Sequence, residues 1–461
     1  MKIRIKNLGV IEEGTIDLSK RVNLLCGQNG TGKTYLAYTI YGMLRTRLHI
    51  PADTELADQL INNRTSSKEI DFSILSKYRD GMFRGLKEGI GTLFGISDEL
   101  VEKEFSRFSM VQIETEKEFE QFILSSEITG SSRIQGINIQ YKKKTGENTL
   151  SLTIIDENIP NDYIPGFRLL LNSFIYHTLA IYPVSGVAIF PVERNSIYTF
   201  SKELSIRKQE AMDNLQLMVD KDKKINKFDI LFNSKRYPLP VKDGLVVAED
   251  LAERKKTKSQ FFHFAEALES DLLQGKVQIS SDGEIQFRPL KSPRTVLPIQ
   301  MTASIVKTLS SLVVYLKHIA HHNDLIIIDE PEINLHPDNQ IILARLLSRL
   351  ANAGFRLLVS THSDYIIREF NNLVMVAERK FIPSKNSEGH FGYQDDEYIN
   401  REDLAVHFFE YKSKKAKNVI VSDVKIDQFG FSIDSIDDII NRQNRTMEDL
   451  YYSLKYTDDN E

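Results

Sequence analysis

Eight consecutive residues near the start of the chain, Gly27-Gln28-Asn29-Gly30-Thr31-Gly32-Lys33-Thr34, constrain its fold more than any other stretch. They fit G-x-x-x-x-G-K-[ST], a pattern in which each residue type has a physical task. Glycines let successive backbone N–H groups turn inward around an anion, and a helix beginning at the loop's end adds its positive pole. On this reading Lys33 reaches the outer phosphates and the hydroxyl of Thr34 ligates a bridging Mg²⁺. The bland reading of such residues is a glycine-rich turn ahead of a helix. Context decides between them. Val22-Asn23-Leu24-Leu25-Cys26 is an apolar run suited to a buried strand. After the loop, Leu36, Ile40, Leu44 and Leu48 recur at every fourth position and predict a helix that Pro51 stops. Strand, glycine loop and helix therefore stand in the order a nucleotide-binding loop requires.

A second segment supplies the carboxylates that such a loop needs. Leu325-Ile326-Ile327-Ile328 predicts a buried strand, and it ends in Asp329-Glu330-Pro331-Glu332. A parallel strand of this kind delivers one carboxylate to the Mg²⁺ shell, assigned to Asp329. It delivers the next, Glu330, to the attacking water as general base or orienting group. Pro337 is placed to begin a helix that Gly354 ends, and the following strand runs into Ser360-Thr361-His362-Ser363. A histidine at a strand tip beside a phosphate site is a candidate γ-phosphate sensor, because imidazole donates to a phosphate oxygen. Taken alone, such a histidine is more often structural.

Composition narrows the class. The chain has 461 residues, 59 basic against 64 acidic side chains, a formal charge of −5 and one cysteine. No overall basic field advertises a nucleic-acid partner. A lone cysteine excludes internal disulfides and fits a reducing cytoplasm, and Cys26 reads as a small buried hydrophobe. The opening Met1-Lys2-Ile3-Arg4-Ile5-Lys6 alternates like an edge strand rather than a signal peptide, and no window has the uninterrupted apolar length of a membrane span.

The expected organisation has six parts. Residues 1–50 form the N-terminal lobe of an ATPase head, with an antiparallel strand pair before the loop. Residues 51–180 are a mixed α/β insertion with its own small core, helical over 70–94 and 98–108 and with strands over 137–141 and 149–155. Within it, Lys142-Lys143-Lys144 reads as a solvated hairpin tip. Residues 181–200 return to the head and end in Pro191-Val192-Glu193-Arg194, where polar residues at a strand end mark a ligand site or form a structural ion pair. Residues 201–285 form a polar helical hairpin arm, with 233–245 as an irregular joint, followed by strands at 276–280 and 284–287. Residues 286–376 are the C-terminal lobe, where Ile305, Leu309, Leu312, Leu316 and Ile319 predict a helix over 303–322. Residues 377–461 are an extension with a strand near 419–421 and two short helices starting at capping boxes, Ser435 with Asp438 and Thr446 with Asp449.

The antiparallel preamble, Asn29-Gly30-Thr31-Gly32 in the loop, Asp329-Glu330-Pro331-Glu332 with Asn334-Leu335-His336-Pro337, and Thr361-His362-Ser363-Asp364-Tyr365 resemble the OLD-family ABC-type ATPases of bacteria. The resemblance covers about 1–50, 187–200 and 295–376. It implies an α/β ABC-type P-loop ATPase head: a mixed sheet with antiparallel N-terminal strands and a parallel core. It also implies ATP and Mg²⁺ as cofactors. Gly27, Asn29, Gly30, Thr31, Gly32, Lys33 and Thr34 would hold the nucleotide, Thr34 and Asp329 the metal, and Glu330, His362 and Lys33 would act in catalysis.

The same resemblance implies a composite site in which two heads meet head to tail and a signature segment of one covers the ATP of the other. That segment is glycine-rich in many relatives but reads Thr302-Ala303-Ser304-Ile305-Val306-Lys307 here, leaving Ser304 at the helix start to face a phosphate. The missing glycines speak against fast turnover. The compact form of the family without a Toprim nuclease occurs in anti-phage systems such as Septu, PARIS and retron-linked defence. This implies a dimer or higher oligomer of heads, a separate nuclease effector, and a DNA or phage-protein trigger. A RecF-like DNA-repair ATPase that binds DNA through the arm is the alternative, and a transporter subunit is disfavoured by the absent glycine signature.

Overall fold

The first three strands show two burial regimes. β1 (Lys2–Leu8) and β2 (Ile11–Asp17) alternate and pair antiparallel, whereas β3 (Val22–Gly27) is buried at every position. A strand covered on both faces reads as a continuous apolar run, and an edge pair as an alternating one. The remaining strands are β4 (Thr65–Glu69), β5 (Ser109–Gln112), β6 (Ile128–Ile134), β7 (Ile137–Lys143), β8 (Thr149–Ile154), β9 (Val187–Phe190), β10 (Gly275–Ile279) and β11 (Ile285–Pro289). After them come β12 (Leu297–Pro298), β13 (Leu325–Asp329), β14 (Arg356–Thr361), β15 (Leu404–Tyr411) and β16 (Val419–Asp423). The computed structural model describes residues 1–201, 237–379, 392–413 and 416–458.

Nine strands form one mixed sheet in the order β5-β1-β2-β16-β15-β3-β14-β13-β9. Its core, β15-β3-β14-β13-β9, is parallel, and β5, β1 and β2 make an antiparallel flank. Side chains alternate between two hydrophobic cores, one on each face. Leu25, Leu325, Ile327 and Leu358 enter the first; Leu24, Ile326, Ile328 and Val359 enter the second. Full burial of each such side chain is worth about 1.5–3 kcal/mol, so the central strands anchor the sheet. This is the α/β head with antiparallel N-terminal strands and parallel core that the sequence led us to expect.

Several expectations are corrected. The phosphate-loop helix spans Lys33–Arg45 and ends before Pro51; Thr46 has extended backbone and its Oγ1 donates to the carbonyl of Gly42 at 2.8 Å. The insertion has no core of its own: Leu75, Met82 and Leu152 lie in the same cluster as Leu36 and Ile40, and β5 adds to the head sheet beside β1. Lys143 is not a solvated tip residue. Its side chain is buried, and Nζ donates to the carbonyls of Leu124, Ser126 and Lys144 at 3.0–3.1 Å.

Residues 202–236 of the expected arm lie outside the described residues. Part of the expected joint is helix Leu239–Glu249, begun by Pro240 in its first turn and packed through Val241 and Ala248. The C-terminal residues do not form a separate extension, since β15 and β16 sit inside the main sheet between β2 and β3. Two short helices were expected there, but one helix runs Asp434–Asp458. Thr446 does not cap a start; it lies within that helix and its Oγ1 donates to the carbonyl of Arg442 at 2.9 Å. No helix among the described residues is long and apolar enough to cross a membrane.

Candidate nucleotide site

β3 stops at Gly27 and the helix Lys33–Arg45 begins at Gly32, so residues 28–31 form the loop between them. Glycine is required at the residue on each side of this loop. Gly27 has φ +140°, and a Cβ there would stand 2.4 Å from the carbonyl oxygen of Phe409. Gly32 has φ +92°, and its Cβ would meet Ile11 at 2.8 Å. Thr31 Oγ1 donates to the carbonyl of Gln28 at 2.7 Å, and Lys33 Nζ donates to those of Gly27 and Gln28 at 2.8 Å each. Burial holds the Lys33 ammonium below its ordinary pKa, against the opposing charges of Glu330, Asp329 and Glu332. Asn29, Gly30, Thr31, Gly32, Lys33 and Thr34 line a cleft of about 270 Å³ with Glu330 on its wall. Gly27, the last residue of β3, is not on its lining.

β13 brings Asp329 to the loop. Thr34 Oγ1 donates to Asp329 Oδ2 at 2.8 Å, and Ser360 Oγ, at the end of neighbouring β14, donates to Oδ1. Burial pushes the Asp329 carboxyl up, and these two hydrogen bonds oppose the shift. A hydroxyl and a carboxylate oxygen side by side form the hard donor set that Mg²⁺ prefers, and a cation there would favour the ionised carboxylate. The next residue, Glu330, has a left-handed backbone with φ +48°. For a side chain other than glycine this costs about 1–2 kcal/mol. Its N–H donates to the carbonyl of Ser360 at 2.9 Å.

Arg194 explains how that backbone is held. Its guanidinium is buried; Nη1 donates to the carbonyls of Pro191 at 3.0 Å and Asp329 at 2.6 Å, and Nη2 to that of Glu330 at 2.7 Å. Burial lowers it to about 10, while Asp329, Glu332 and Glu330 keep it charged. Glu193 goes elsewhere and accepts from Tyr38 Oη at 3.3 Å. The two residues therefore do not form the mutual ion pair that was one of the two readings of this segment.

His362 follows the tip of β14, and its Nδ1 lies 3.1 Å from Glu332 Oε1 and 3.7 Å from Glu330 Oε1. Glu332 is buried, and the same Oε1 accepts from Thr361 Oγ1 at 2.8 Å and the His362 N–H at 2.9 Å. Its Oε2 has no hydrogen-bond partner among the described residues. Glu332 and Arg194 thus carry roles that sequence reading did not assign; the last acid of Asp-Glu-Pro-Glu was the available signal. Ser304 is not brought to this cleft. It is exposed at the first turn of helix Ser304–His318 and does not line the phosphate-loop cleft of its own chain. Cys26 is buried beneath the loop, and burial keeps its thiol protonated.

β15 completes the loop's surroundings. It runs parallel to β3, sets Phe409 against Gly27, and Tyr411 Oη donates to the carbonyl of Gly30 at 3.2 Å.

Comparison with known proteins gives the family. Residues 1–367 match a family described as an AAA ATPase domain. The cell division ATP-binding protein FtsE of Streptococcus pneumoniae, from two strains, is 32% identical over 77 residues, which are 17% of this chain and 34% of FtsE. The chain thus matches about a third of the length of these curated relatives. Among solved structures, an Smc head bound to the C-winged helix domain of ScpA aligns with 10% identity and a TM-score of 0.34, covering 93% of this chain and 98% of that one. An SMC head domain from Thermotoga maritima aligns with 11% identity and a TM-score of 0.30, covering 92% and 98%. The matched region contains the phosphate loop, the Asp329–Glu330 strand end and His362, and the chain belongs to the family described as an AAA ATPase domain.

Proposed function

We propose that the chain hydrolyses ATP with Mg²⁺ at this cleft, in composite sites formed by two heads, and serves as the sensor subunit of a separate effector. The observation that carries the catalytic part is the 2.8 Å bond from Thr34 to Asp329, made beside a glycine loop with Glu330 on the cleft wall. Gly27, Asn29, Gly30, Thr31 and Gly32 present backbone N–H groups to the phosphates, and Lys33 adds a charge to them. Thr34 and Asp329 would hold the metal, which when bound neutralises charge on the phosphate oxygens. Glu330 orients the attacking water and takes its proton. His362, tethered by Glu332 through Nδ1, turns its other ring nitrogen to the departing phosphate.

The partner part rests on resemblance and on exposure. Ser304 starts a helix at an exposed position, as a residue would that contacts nucleotide on a second head. The Asp-Glu-Pro-Glu and Thr-His-Ser motifs resemble OLD-type ATPases of anti-phage defence, so the effector proposed is a nuclease and the trigger DNA or a phage protein.

The test uses the Glu330→Gln variant. It is expected to keep ATP and accumulate a dimer by native mass measurement, and adding Ser304→Arg should return it to monomer with ATP still bound. Hydrolysis at the wild-type rate by Glu330→Gln would remove Glu330 from its role. A dimer undiminished by Ser304→Arg would remove the composite site.

A further inference from the structure

A second cavity, of about 650 Å³, lies beside edge strand β9 and shares no lining residue with the phosphate-loop cleft. Its walls are charged. Five arginines (45, 47, 133, 194 and 254) line it against two carboxylates, Asp243 and Asp324. Both acids are already engaged. Asp243 pairs with Arg45 at 3.2 Å and accepts from Tyr41 Oη, while Asp324 accepts from Tyr315 Oη at 2.6 Å and the His321 N–H at 2.9 Å. The remaining positive charge is felt inside. His177, on the same wall, is lowered to about 4 by burial and then by Arg47 and Arg45. Arg47 is itself held below its ordinary value by burial and by Arg45.

Two polar atoms of the lining residues are orphaned. Ser311 is 8% exposed, and its Oγ has no hydrogen-bond partner among the described residues, whereas neighbouring Ser310 bonds back to the carbonyl of Val306. Arg254 Nε is also buried without a partner among the described residues. Buried donors are rarely left unpaired, and two on one cavity point to a missing acceptor. The same cavity has apolar and aromatic wall, including Tyr198 and Phe174, and its volume lies within the roughly 300–1,000 Å³ of small-molecule pockets.

We propose that this cavity is a second anion site, binding a small phosphate-bearing molecule of nucleotide size among its arginines and Ser311. Arg194 lines the cavity and bonds to the carbonyls of Asp329 and Glu330, so occupancy bears on the strand end of the ATP site. That consequence rests on the proposed catalytic site; the binding does not.

Calorimetric titration of the full chain with ADP, and separately with inorganic pyrophosphate, tests it. Wild type is expected to take one more equivalent of ADP than Lys33→Ala, which silences the phosphate loop but retains the cavity. In the Lys33→Ala background, Arg47→Ala and Arg254→Ala should each weaken the retained site by about ten-fold or more. Ser311→Ala, which removes only the hydroxyl, should weaken it without touching an arginine. Pyrophosphate bound as tightly as ADP supports the site and assigns it to free phosphates; tighter ADP supports it and assigns it to nucleotides. No binding of either to Lys33→Ala, or binding unchanged in all three further variants, overturns the proposal. A short single-stranded oligonucleotide displacing both ligands would overturn it in favour of a nucleic-acid surface.

Discussion

Arg194 clamps the backbone of Glu330: Nη2 donates to its carbonyl oxygen at 2.7 Å while Nη1 holds the preceding carbonyl of Asp329 at 2.6 Å. Glu330 has the left-handed φ of +48°, so the residue proposed as base occupies a strained backbone fixed by an arginine 136 positions earlier. Strain of this kind persists only where the surroundings over-determine it.

Arg194→Lys retains the charge but has no planar fork to span two carbonyls. We expect hydrolysis to fall about ten-fold, with nucleotide affinity unchanged, because the proposed phosphate ligands are untouched. Arg194→Ala leaves both carbonyls unpaired and should cost about 2–4 kcal/mol of stability, read by denaturant unfolding. Equal losses in affinity and turnover for Arg194→Lys would count against a role at Glu330.

Lys33→Ala should weaken ATP binding by about 100-fold or more in an equilibrium titration, the loss of two or so charge-assisted hydrogen bonds. The lysine also donates to Gly27 and Gln28. Circular dichroism and thermal unfolding therefore accompany the measurement. Unchanged affinity in a folded variant would show that the loop is not the phosphate site.

Glu332 and His362 are expected to act as one unit. Glu332→Ala and His362→Ala should each slow hydrolysis by a similar factor, and the double variant should be little slower than either, since each removes the same oriented imidazole. Multiplicative losses would mean that Glu332 works independently of His362. Glu332→Gln, which retains an acceptor for the Thr361 hydroxyl, should recover part of the rate.

Stability should fall on acidification through His177. Its folded value is about 4 against an ordinary value of 6.5, lowered by burial. Between these values the unfolded chain takes up a proton that the folded chain refuses, so stability is lost as pH falls from about 6.5 to about 4. The limiting loss is about 3 kcal/mol. His177→Gln should flatten that part of the profile of melting temperature against pH; a profile identical to wild type would exclude His177 as the cause.

Much of the site was legible because its pieces are contiguous strings. The loop from Gly27 to Thr34, the Asp329–Glu330 strand end and His362 after its strand each carry their own local signature, and each lies where its motif predicts. β15 escaped notice for the opposite reason. Residues 404–411 have the mixed burial of a strand on the way out of the core and no motif, yet they support Gly27 and Gly30 of the loop. Lys143 misled for a related reason: three lysines in a row look solvated, but strand alternation turns the middle one inward onto three carbonyls.

The sequence by itself determined which residues are chemically able to hold a phosphate and a cation, because spacing along one strand, loop or helix sets local geometry. It also determined the two faces of each central strand, since side chains alternate with period two. Tertiary structure alone decided which strands are neighbours, and hence that Arg194 meets the Glu330 carbonyl, that Glu332 holds His362, and that β15 lies against β3. The reason is physical. A residue pattern specifies what a side chain can bond and which face it occupies, while the partner it meets from hundreds of positions away depends on the order in which the whole sheet packs.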